Sequence, residues 1–475
     1  MAFDIKPLKW NAFAQMAVLA ALLSGCMSLS GERRMVSAPM ATSVPDSAVL
    51  AEQTRLVATF GGEYAAPAPL LDLVREIVGK IVAASDDPTV RYRLTVLNSP
   101  SINAFALPTG ELYVTRGLLA LANDTSEIAA VLAHEVGHVT AKHATQRAEF
   151  ERQATTAMPD SISGPNVATS RFLLASFSRG QELEADEIGI RTIAKAGYDP
   201  YGAARFLASL SRQTTFMGEI RPSARYSFLS SHPSTPQRLA AALETARANV
   251  GATAIEADRT RYLTALNGIA YGDDPFGGVV RGRRFLHTRL DFMLLAPEGF
   301  VLENSPQAVI GVSANGQEAL RLDTVRLGGA GPEAALAGGW IDGATNSEIT
   351  LFTINGLSGA TATARASEWT FRLAAIQKGD DIFRIIFAAR EMNQALDRAF
   401  LASIGSFRTL TPEEKAGLRP QRVEAVLAGA DDTPSTLLAK SDRADNALDR
   451  FLVLNGLDRP KLRPGELYKL VVSEQ

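Results

Sequence analysis

The sequence predicts an α+β chain with three structured regions. Residues 51 to about 270 have a helical pattern, apart from a strand-like island at 91–115. Residues 285–408 change to strand-like runs bounded by turn residues, with two helical stretches between them. Residues 411–475 begin with a linker-like stretch and continue as strand, helix, helix, strand. We therefore expect a mainly helical domain with a small sheet, then an α+β domain and a small βααβ unit.

Size and composition are those of an ordinary globular protein. The chain has 475 residues, of which 46% are hydrophobic and 21% charged, and its length corresponds to two to four domains. The formal net charge of −3 offers no strong attraction to nucleic acid, so we expect no nucleic-acid partner.

The beginning of the chain resembles a bacterial lipoprotein signal. A positively charged start precedes a short apolar run, from Met16 to Leu23, that is too short to span a membrane as a mature helix. The following Leu23-Ser24-Gly25-Cys26 resembles the lipobox, in which the cysteine is lipidated. Met27 stands where an inner-membrane retention signal has aspartate. The resemblance implies a periplasmic protein anchored through Cys26 to the outer membrane, and the alternatives are a plain signal peptide or a buried N-terminal helix.

Composition divides the rest of the chain. Residues 27–50 are rich in Ser, Ala, Pro and Met and predict a flexible tether, and the turn-forming DDPFGG at 273–278 predicts a domain boundary. The predicted division is a signal peptide at 1–26, a tether at 27–50, a first domain at 51–272, an α+β domain at 283–410 and a C-terminal unit at 420–475.

The stretch AHEVGH indicates a metal site in the first domain. His134 and His138 lie one helical turn apart, so both rings leave the same face and can bind one zinc ion. Glu135 lies about 100° round the helix from His134, where it can reach a water and act as general base. Asp124 is one of three residues that can cap the start of this helix.

A catalytic zinc needs a third protein ligand, and the acidic stretch QELEAD supplies candidates. Glu182 and Asp186 share a helical face, whereas Glu184 faces the other side. We expect Glu182 to bind the metal and Asp186 to hydrogen-bond the outer nitrogen of a ligand histidine. Glu184 stays open as an alternative ligand, and a solvated acidic face is the alternative without a metal.

Two further histidines are expected to lie outside the metal site. His143 comes nine residues after His134 and points away from the ligand face if the helix runs that far. His287 is isolated, and we expect a structural or surface role for it.

Three stretches in order, HEVGH, SRGQELEAD and AGYDP, resemble the gluzincin metallopeptidases of the HtpX and BepA type, peptidase family M48. Residues 103–110, followed by ELYVTRGLL, and His232 followed by Pro233 and Arg238 also agree. Thr109 stands where the family usually has glycine. The resemblance covers about 50–250 and implies a zinc metallopeptidase domain, with one Zn²⁺ per chain and Glu182 as third ligand.

The same resemblance suggests how the other residues act. His232 is the candidate donor to the oxyanion, with Arg238 orienting the loop or the substrate; in some relatives the equivalent histidine sits on the metal and keeps the enzyme latent. A loop histidine without a catalytic role is the alternative. Substrate is expected to add as an extended strand along Glu111, Leu112, Tyr113 and Val114.

The C-terminal unit resembles a LysM module, a family that binds N-acetylglucosamine glycans such as peptidoglycan. The resemblance rests on Asp432-Thr433, Leu454-Asn455-Gly456-Leu457 and Arg463-Pro464-Gly465, with Asp431 in place of the usual glycine. A packing unit without glycan binding is the alternative.

Together these features predict a lipid-anchored periplasmic zinc endopeptidase that acts on misfolded or stalled envelope proteins. A chaperone or peptidoglycan-binding lipoprotein with a latent zinc site is the second hypothesis, and a peptidoglycan-processing enzyme is the third. The intact Glu135 favours the enzyme.

Overall fold

The computed structural model describes residues 47–147, 149, 177–220, 232, 235–251, 258–326, 328–329, 331–341, 343–441 and 446–474. The chain divides into two compact units: the first unit contains residues 46–274 and 419–475, and the inserted unit contains residues 275–418. Cys26 and the predicted signal peptide lie outside the described residues. Within the described part of the chain, no helix has the length and apolarity needed to cross a membrane.

The first unit is mainly helical with two small sheets, in agreement with the α+β prediction. Its elements before residue 275 are α1 (Ser47–Thr59), α2 (Ala68–Ala84), β1 (Arg93–Leu97), β2 (Ala104–Ala106), β3 (Glu111–Thr115), α3 (Arg116–Leu121), α4 (Thr125–Thr140), α5 (Arg179–Lys195), α6 (Gly202–Ile220), α7 (Pro236–Ala248), α8 (Arg259–Leu266) and β4 (Ala270–Tyr271).

The predicted tether is too long at its C-terminal end. We expected residues 27–50 to be flexible, but α1 already begins at Ser47. Leu56 of α1 and the following Phe60 pack against Phe105 and Tyr113 in a small apolar cluster, and this burial stabilises the helix that the composition did not indicate.

The first sheet contradicts the predicted substrate strand. Its order is β1-β3-β2, so Glu111, Leu112, Tyr113 and Val114 lie on the central strand. β3 pairs with β1 in parallel and with β2 antiparallel, and its backbone groups are therefore already used on both sides. The prediction was wrong because strand order depends on long-range pairing, which a local pattern does not reveal.

Helix α4 is the centre of the first unit. Residues 125–138 are buried all round the helix, so it packs on every face. Asp124 caps its start, where the carboxylate accepts a hydrogen bond from the Glu127 N–H at 2.8 Å. The helix ends at Thr140, and Lys142 then adopts a left-handed backbone with φ of 57°. This turn places the next residue, His143, against His138.

The C-terminal segment belongs to the first unit, although the sequence suggested a separate module. It has the predicted order of strand, helix, helix, strand. Its β16 pairs with β4 as well as with β17, and Val423 of β16 lies in the same apolar core as α2 and α4. Its elements are β16 (Gln421–Leu427), α12 (Pro434–Leu438), α13 (Ala447–Leu454) and β17 (Leu467–Ser473).

A buried lysine fixes this segment to the first unit. Lys469 of β17 is 0% exposed. Its ammonium donates to the carbonyl oxygens of Ala120, Leu121 and Ala122, at 2.9, 2.9 and 2.8 Å. These carbonyls lie at the C-terminal end of α3, where they have no partner within the helix, and the Asn123 side chain also donates to the Leu121 carbonyl at 3.1 Å. The lysine therefore completes the helix that leads into α4.

The inserted unit is rich in strands. Its main sheet has the order β11-β13-β14-β15-β10-β9-β8, with β12 paired to β13, and a second sheet has the order β5-β6-β7. Its elements are β5 (Val279–Arg281), β6 (Arg284–His287), β7 (Phe292–Leu295), β8 (Phe300–Asn304), β9 (Val309–Ser313), β10 (Glu318–Arg326), α9 (Pro332–Ala337), β11 (Thr345–Asn346), β12 (Thr350–Ile354), β13 (Leu357–Ala366), β14 (Trp369–Lys378), β15 (Asp381–Ala389), α10 (Gln394–Gly405) and α11 (Pro412–Ala416).

His287 has a structural role in this unit. It is buried at 7% exposure and accepts a hydrogen bond from the Leu290 N–H at 3.2 Å. Its ring stacks on Phe292 at 5.7 Å. The sequence left open a structural or a surface role for His287, and its burial and contacts show the structural role.

We predict that Lys469→Met lowers the free energy of unfolding of the first unit by about 1–3 kcal/mol, because three carbonyls lose a charged donor. Urea denaturation followed by far-UV circular dichroism measures the change. Lys461→Met is the matched control, since Lys461 lies in the same segment and is exposed. Equal stability of the two variants would show that the hydrogen bonds of Lys469 to the end of α3 do not stabilise the first unit.

Candidate metal centre

Two crossing helices supply most of the site. Helix α4 carries His134, Glu135 and His138, and helix α5 carries Glu182 and Asp186. The start of α5 is a capping box, in which Ser178 accepts from the Gln181 N–H and the Gln181 side chain accepts from the Ser178 N–H. Both helices are thus fixed by their own N-terminal residues.

Glycines allow the two helices to approach closely. A Cβ atom on Gly189 of α5 would lie 3.0 Å from the backbone nitrogen of His134. A Cβ atom on Gly137 of α4 would lie 3.2 Å from the carbonyl oxygen of Ala185. Gly189 was not predicted to lie at a contact between helices. The small residues bring the carboxylates of α5 against the rings of α4.

Four side chains direct nitrogen or oxygen atoms to one point. His134, His138, Glu182 and His232 each offer an atom, and these atoms lie within 4.8 Å of one another. The Nε2 atoms of His134 and His138 are 3.0 Å apart, and Nδ1 of His232 lies 2.9 Å from Oε1 of Glu182. All four residues are buried. The structure therefore brings together the three predicted ligands and adds His232.

Asp186 and Arg238 support this set. Oδ1 of Asp186 lies 2.9 Å from Nδ1 of His134, which is the contact expected of a residue that orients a ligand. The guanidinium of Arg238 donates to both Asp186 oxygens at 2.7 Å, and its third nitrogen lies 2.7 Å from Oε2 of Glu182. We expected Arg238 to orient the loop or the substrate. It is 4% exposed and instead holds the two carboxylates of α5.

The environment favours neutral imidazoles. Burial lowers the pKa of His134 and brings the pKa of His138 well below its ordinary value, and burial together with the Arg238 charge lowers the pKa of His232 to about 3. Burial acts to raise the pKa of Asp186, but hydrogen bonds from Arg238 and His134 lower it to about 2. Neutral rings have the free lone pair that a metal ligand requires.

The charges of the site fit a divalent cation. Glu135, Glu182 and Asp186 are all buried, and Arg238 is the cation that contacts two of them. If ionised, three carboxylates and one guanidinium leave two negative charges, and burying uncompensated charge is costly. A Zn²⁺ ion balances them, and imidazole with carboxylate is a donor set that zinc accepts.

Glu135 lies beside the donor atoms without a hydrogen-bond partner on one oxygen. Its Oε1 is buried and has no such partner in the described part of the chain; it lies 3.7 Å from Nε2 of His232. The carboxylate accepts a hydrogen bond from the backbone N–H of Ala106. Burial and the nearby Glu182 charge raise the pKa of Glu135 well above its ordinary value. An oxygen left open in this way suits a proton acceptor.

A cavity of about 290 Å³ adjoins Glu135, His138 and His232. Most of its other lining residues are apolar, and Asn103 is an exception whose Oδ1 is buried without a hydrogen-bond partner among the described residues. The apolar part of the lining includes Val90, Phe105, Pro108, Val139 and Phe177, and the charged residues Asp87 and Lys142 also line the cavity.

The contact between His138 and His143 was not predicted from the sequence. Because α4 ends at Thr140, the helical angle used for His143 does not apply, and Nδ1 of His143 lies 2.8 Å from Nδ1 of His138. As expected, His143 is not among the four donors. Glu184, the alternative ligand, has its carboxylate 3.3 Å from Nε2 of His143 and not at the donor point. The sequence feature that could have indicated this contact is the spacing of five residues between His138 and His143, with the end of α4 between them.

Comparison with known proteins agrees with this geometry. Residues 72–246 match the model of Peptidase family M48. The mitochondrial metalloendopeptidase OMA1 of Arabidopsis thaliana is 36% identical over 157 residues, which are 31% of this chain and 30% of that protein. OMA1 of Schizosaccharomyces pombe is 31% identical over 173 residues, 35% of this chain and 50% of that protein.

A bacterial relative is also similar. The beta-barrel assembly-enhancing protease of Yersinia pestis is 29% identical over 170 residues, 32% of this chain and 35% of that protein. The chain thus spans half or less of the length of these relatives. Among solved structures, cyanobacterial PsbP from Synechocystis sp. PCC 6803 is similar with 13% identity and a TM-score of 0.23, covering 27% of this chain and 92% of that one.

The family match and the metalloendopeptidase relatives support a zinc metalloprotease, a hydrolase. Metallopeptidases of this family use zinc. The buried group of His134, His138, Glu182 and His232 is the part of the described chain that could bind it.

We predict that Gly189→Ala destabilises the protein by about 1–3 kcal/mol and weakens zinc binding, because the added methyl meets the backbone of α4 and forces the helices apart. Thermal unfolding and a zinc competition assay measure the two effects. Gly180→Ala on the same helix is the control, since its nearest atom would be 4.0 Å away. The close crossing is unimportant if both variants behave alike.

Proposed function

We propose that this chain is a zinc-dependent metalloendopeptidase of the bacterial envelope, which hydrolyses peptide bonds of misfolded or stalled periplasmic and outer-membrane proteins. The observation that carries the proposal is the buried donor set with the open Oε1 of Glu135 beside it and a cavity next to both. In this proposal His134, His138 and Glu182 hold one zinc ion.

Zinc in this position supplies Lewis-acid polarisation of the scissile carbonyl and makes a water more acidic. Glu135 accepts the proton of the attacking water and passes it to the leaving amine nitrogen as the C–N bond breaks. Asp186 holds His134 by its outer nitrogen, and Arg238 holds the carboxylates of Glu182 and Asp186 in place. The residues of the chain thus orient the ligands and move one proton.

The position of His232 supports a latent state. A catalytic zinc site keeps one position free, whereas four protein donors close a tetrahedral site. Nδ1 of His232 lies 3.3 Å from Nε2 of His134 and 2.9 Å from Oε1 of Glu182, so it would take the position that water needs. We propose that His232 would have to move away from the other three donors before substrate is cut, and that its ring would then be available as a donor to the oxyanion.

Strand β2 is the better candidate for pairing with substrate. The pairs Asn103–Thr115 and Leu107–Glu111 are hydrogen-bonded, so antiparallel alternation directs the backbone groups of Ala104 and Ala106 away from β3. Ala106 already donates to Glu135. An extended peptide along this edge would run past the general base, which supports β2 in place of the central strand.

The cavity suggests a preference for apolar side chains next to the scissile bond. Val90, Phe105, Pro108 and Phe177 give it apolar walls. The unpartnered Oδ1 of Asn103 offers an acceptor to a substrate backbone N–H. We propose that a medium-sized apolar side chain enters here, which suits unfolded proteins that expose such residues.

The envelope role rests on the N-terminal resemblance and on the bacterial relatives, whose name refers to β-barrel assembly. We propose lipid anchoring through Cys26 to the outer membrane, with the protein facing the periplasm. Peptidoglycan binding by the C-terminal unit is the second proposal, and the four-donor arrangement also supports the alternative of a chaperone or binding lipoprotein with a latent zinc site.

The first test of the proposed function compares casein cleavage by the wild-type protein and Glu135→Gln. We predict that Glu135→Gln keeps one zinc per chain and loses about 10²–10⁴-fold in activity, because the general base is removed while the ligands stay. Glu187→Gln on α5 is the control, since its carboxylate is exposed and pairs with Arg191. A wild type that binds zinc but cuts no protein would favour the binding alternative.

The second test concerns the latent state. We predict that His232→Ala increases casein cleavage by about tenfold while zinc stays bound, because removing the fourth donor frees a position on the metal. Activity and metal content are measured on the same sample. Slower cleavage with unchanged zinc would instead identify His232 as an oxyanion donor only.

A further inference from the structure

His143 and Glu184 have no part in the proposed mechanism, yet they are connected to a proposed ligand. His138 presents Nε2 to the donor point, 3.0 Å from Nε2 of His134. Its other nitrogen, Nδ1, lies 2.8 Å from Nδ1 of His143. Nε2 of His143 lies 3.3 Å from Oε2 of Glu184. The three side chains form a continuous line that ends at the surface, where Glu184 is 59% exposed.

The positions of the protons on His138 and His143 follow from the need for a free lone pair on Nε2 of His138, which faces the metal site. A neutral imidazole that binds a metal through Nε2 carries its proton on Nδ1. His138 then donates from Nδ1, and Nδ1 of His143 must accept. The proton of a neutral His143 is consequently on Nε2, from which it donates to the carboxylate of Glu184. Reversing the first hydrogen bond would put a proton on Nε2 of His138 and block metal binding.

The surrounding structure holds His143 in this place. The ring is 0% exposed, and it reaches His138 because Lys142 turns the chain with φ of 57° directly after α4. A left-handed backbone is unfavourable for a residue with a Cβ atom such as lysine, so the rest of the fold offsets that cost. The ring of Phe177 stacks on the ring of His138, with 4.0 Å between their centroids, and its centroid lies 6.0 Å from that of the His143 ring.

We propose that His143 and Glu184 are positioning residues that hold His138 in the tautomer with its proton on Nδ1, so that the Nε2 lone pair faces the metal. His134 is oriented directly by Asp186, whose Oδ1 lies 2.9 Å from Nδ1 of His134. The two histidines of α4 are thus oriented by different hydrogen-bond partners: a carboxylate orients His134, and a second imidazole orients His138. This inference rests on the proposed zinc site but requires no proteolysis.

The test measures tautomers and zinc affinity, and neither readout depends on catalysis. The chain has five histidines, so ¹⁵N-histidine labelling with long-range ¹H–¹⁵N correlation assigns each ring in the metal-free and zinc-loaded protein. We expect the Nδ1–H tautomer for His138 and the Nε2–H tautomer for His143 in both forms. The opposite tautomer of His138 in the metal-free protein would overturn the proposal.

Three variants separate positioning from packing. His143→Leu fills the space without an acceptor, and we expect zinc to bind about 10- to 100-fold more weakly. His143→Asn keeps an oxygen near the place of Nδ1 and should restore most of the affinity. Glu184→Ala should weaken binding less, because Glu184 is exposed to solvent.

The control for Glu184→Ala is Glu187→Ala. Glu187 lies on the same helix, is also 59% exposed, and pairs with Arg191; we expect no change. Equal zinc affinity of wild type, His143→Leu and His143→Asn would overturn the proposal. Failure of the wild type to bind zinc at all would instead refute the metal centre itself, and the two failures are therefore distinguishable.

Discussion

The metal centre depends on how closely helices pack against α4. Gly189 of α5 lies against the backbone of His134, and Gly137 lies against Ala185. At the start of α4, a Cβ atom on Gly202 would come within 2.4 Å of the carbonyl oxygen of Ser126. Side chains at these positions would separate the helices by tenths of an ångström or more. Because His134 and His138 lie on α4 and Glu182 lies on α5, this spacing sets the distances between the donor atoms of these three residues.

Electrostatics imposes the second constraint. Close packing buries Glu135, Glu182 and Asp186 together, and ionised carboxylates in such a place need cations. Arg238, brought in by α7, makes two hydrogen bonds of 2.7 Å to Asp186 and an ion pair of 2.7 Å with Glu182. If all three carboxylates are ionised, the remaining negative charge is what a divalent metal would compensate. The same burial keeps the histidine rings neutral, so the site is prepared for metal by the fold around it.

Local sequence patterns were sufficient for part of the site. The spacing of four between His134 and His138, and between Glu182 and Asp186, places each pair on one face of a helix, and the structure has them there. The patterns failed where tertiary structure decides. The central position of β3 and the merging of the C-terminal segment with the first unit come from strand pairing between distant segments.

Other differences arise at the ends of helices. The distance from His134 to His143 gives a direction only while the helix continues, and the chain leaves the helix three residues earlier, after Thr140. The target of Arg238 was also hidden, because a long side chain on α7 can reach solvent, loop or core. Knowledge of which helices cross was needed before its partners could be identified. The mixed helix and sheet character, by contrast, followed from periodicity alone.

The buried lysine in β17 also has a consequence for the order in which the protein is made. The carbonyl oxygen of Ala120 and its partner Lys469 are separated by 349 residues. A ribosome that adds 5–20 residues per second needs roughly 20–70 s to cover that distance. During this interval α4, which carries His134 and His138, has been synthesised, but α3 before it lacks the lysine that caps its carbonyls. A nascent chain therefore carries an α3 without this donor until β17 has been synthesised.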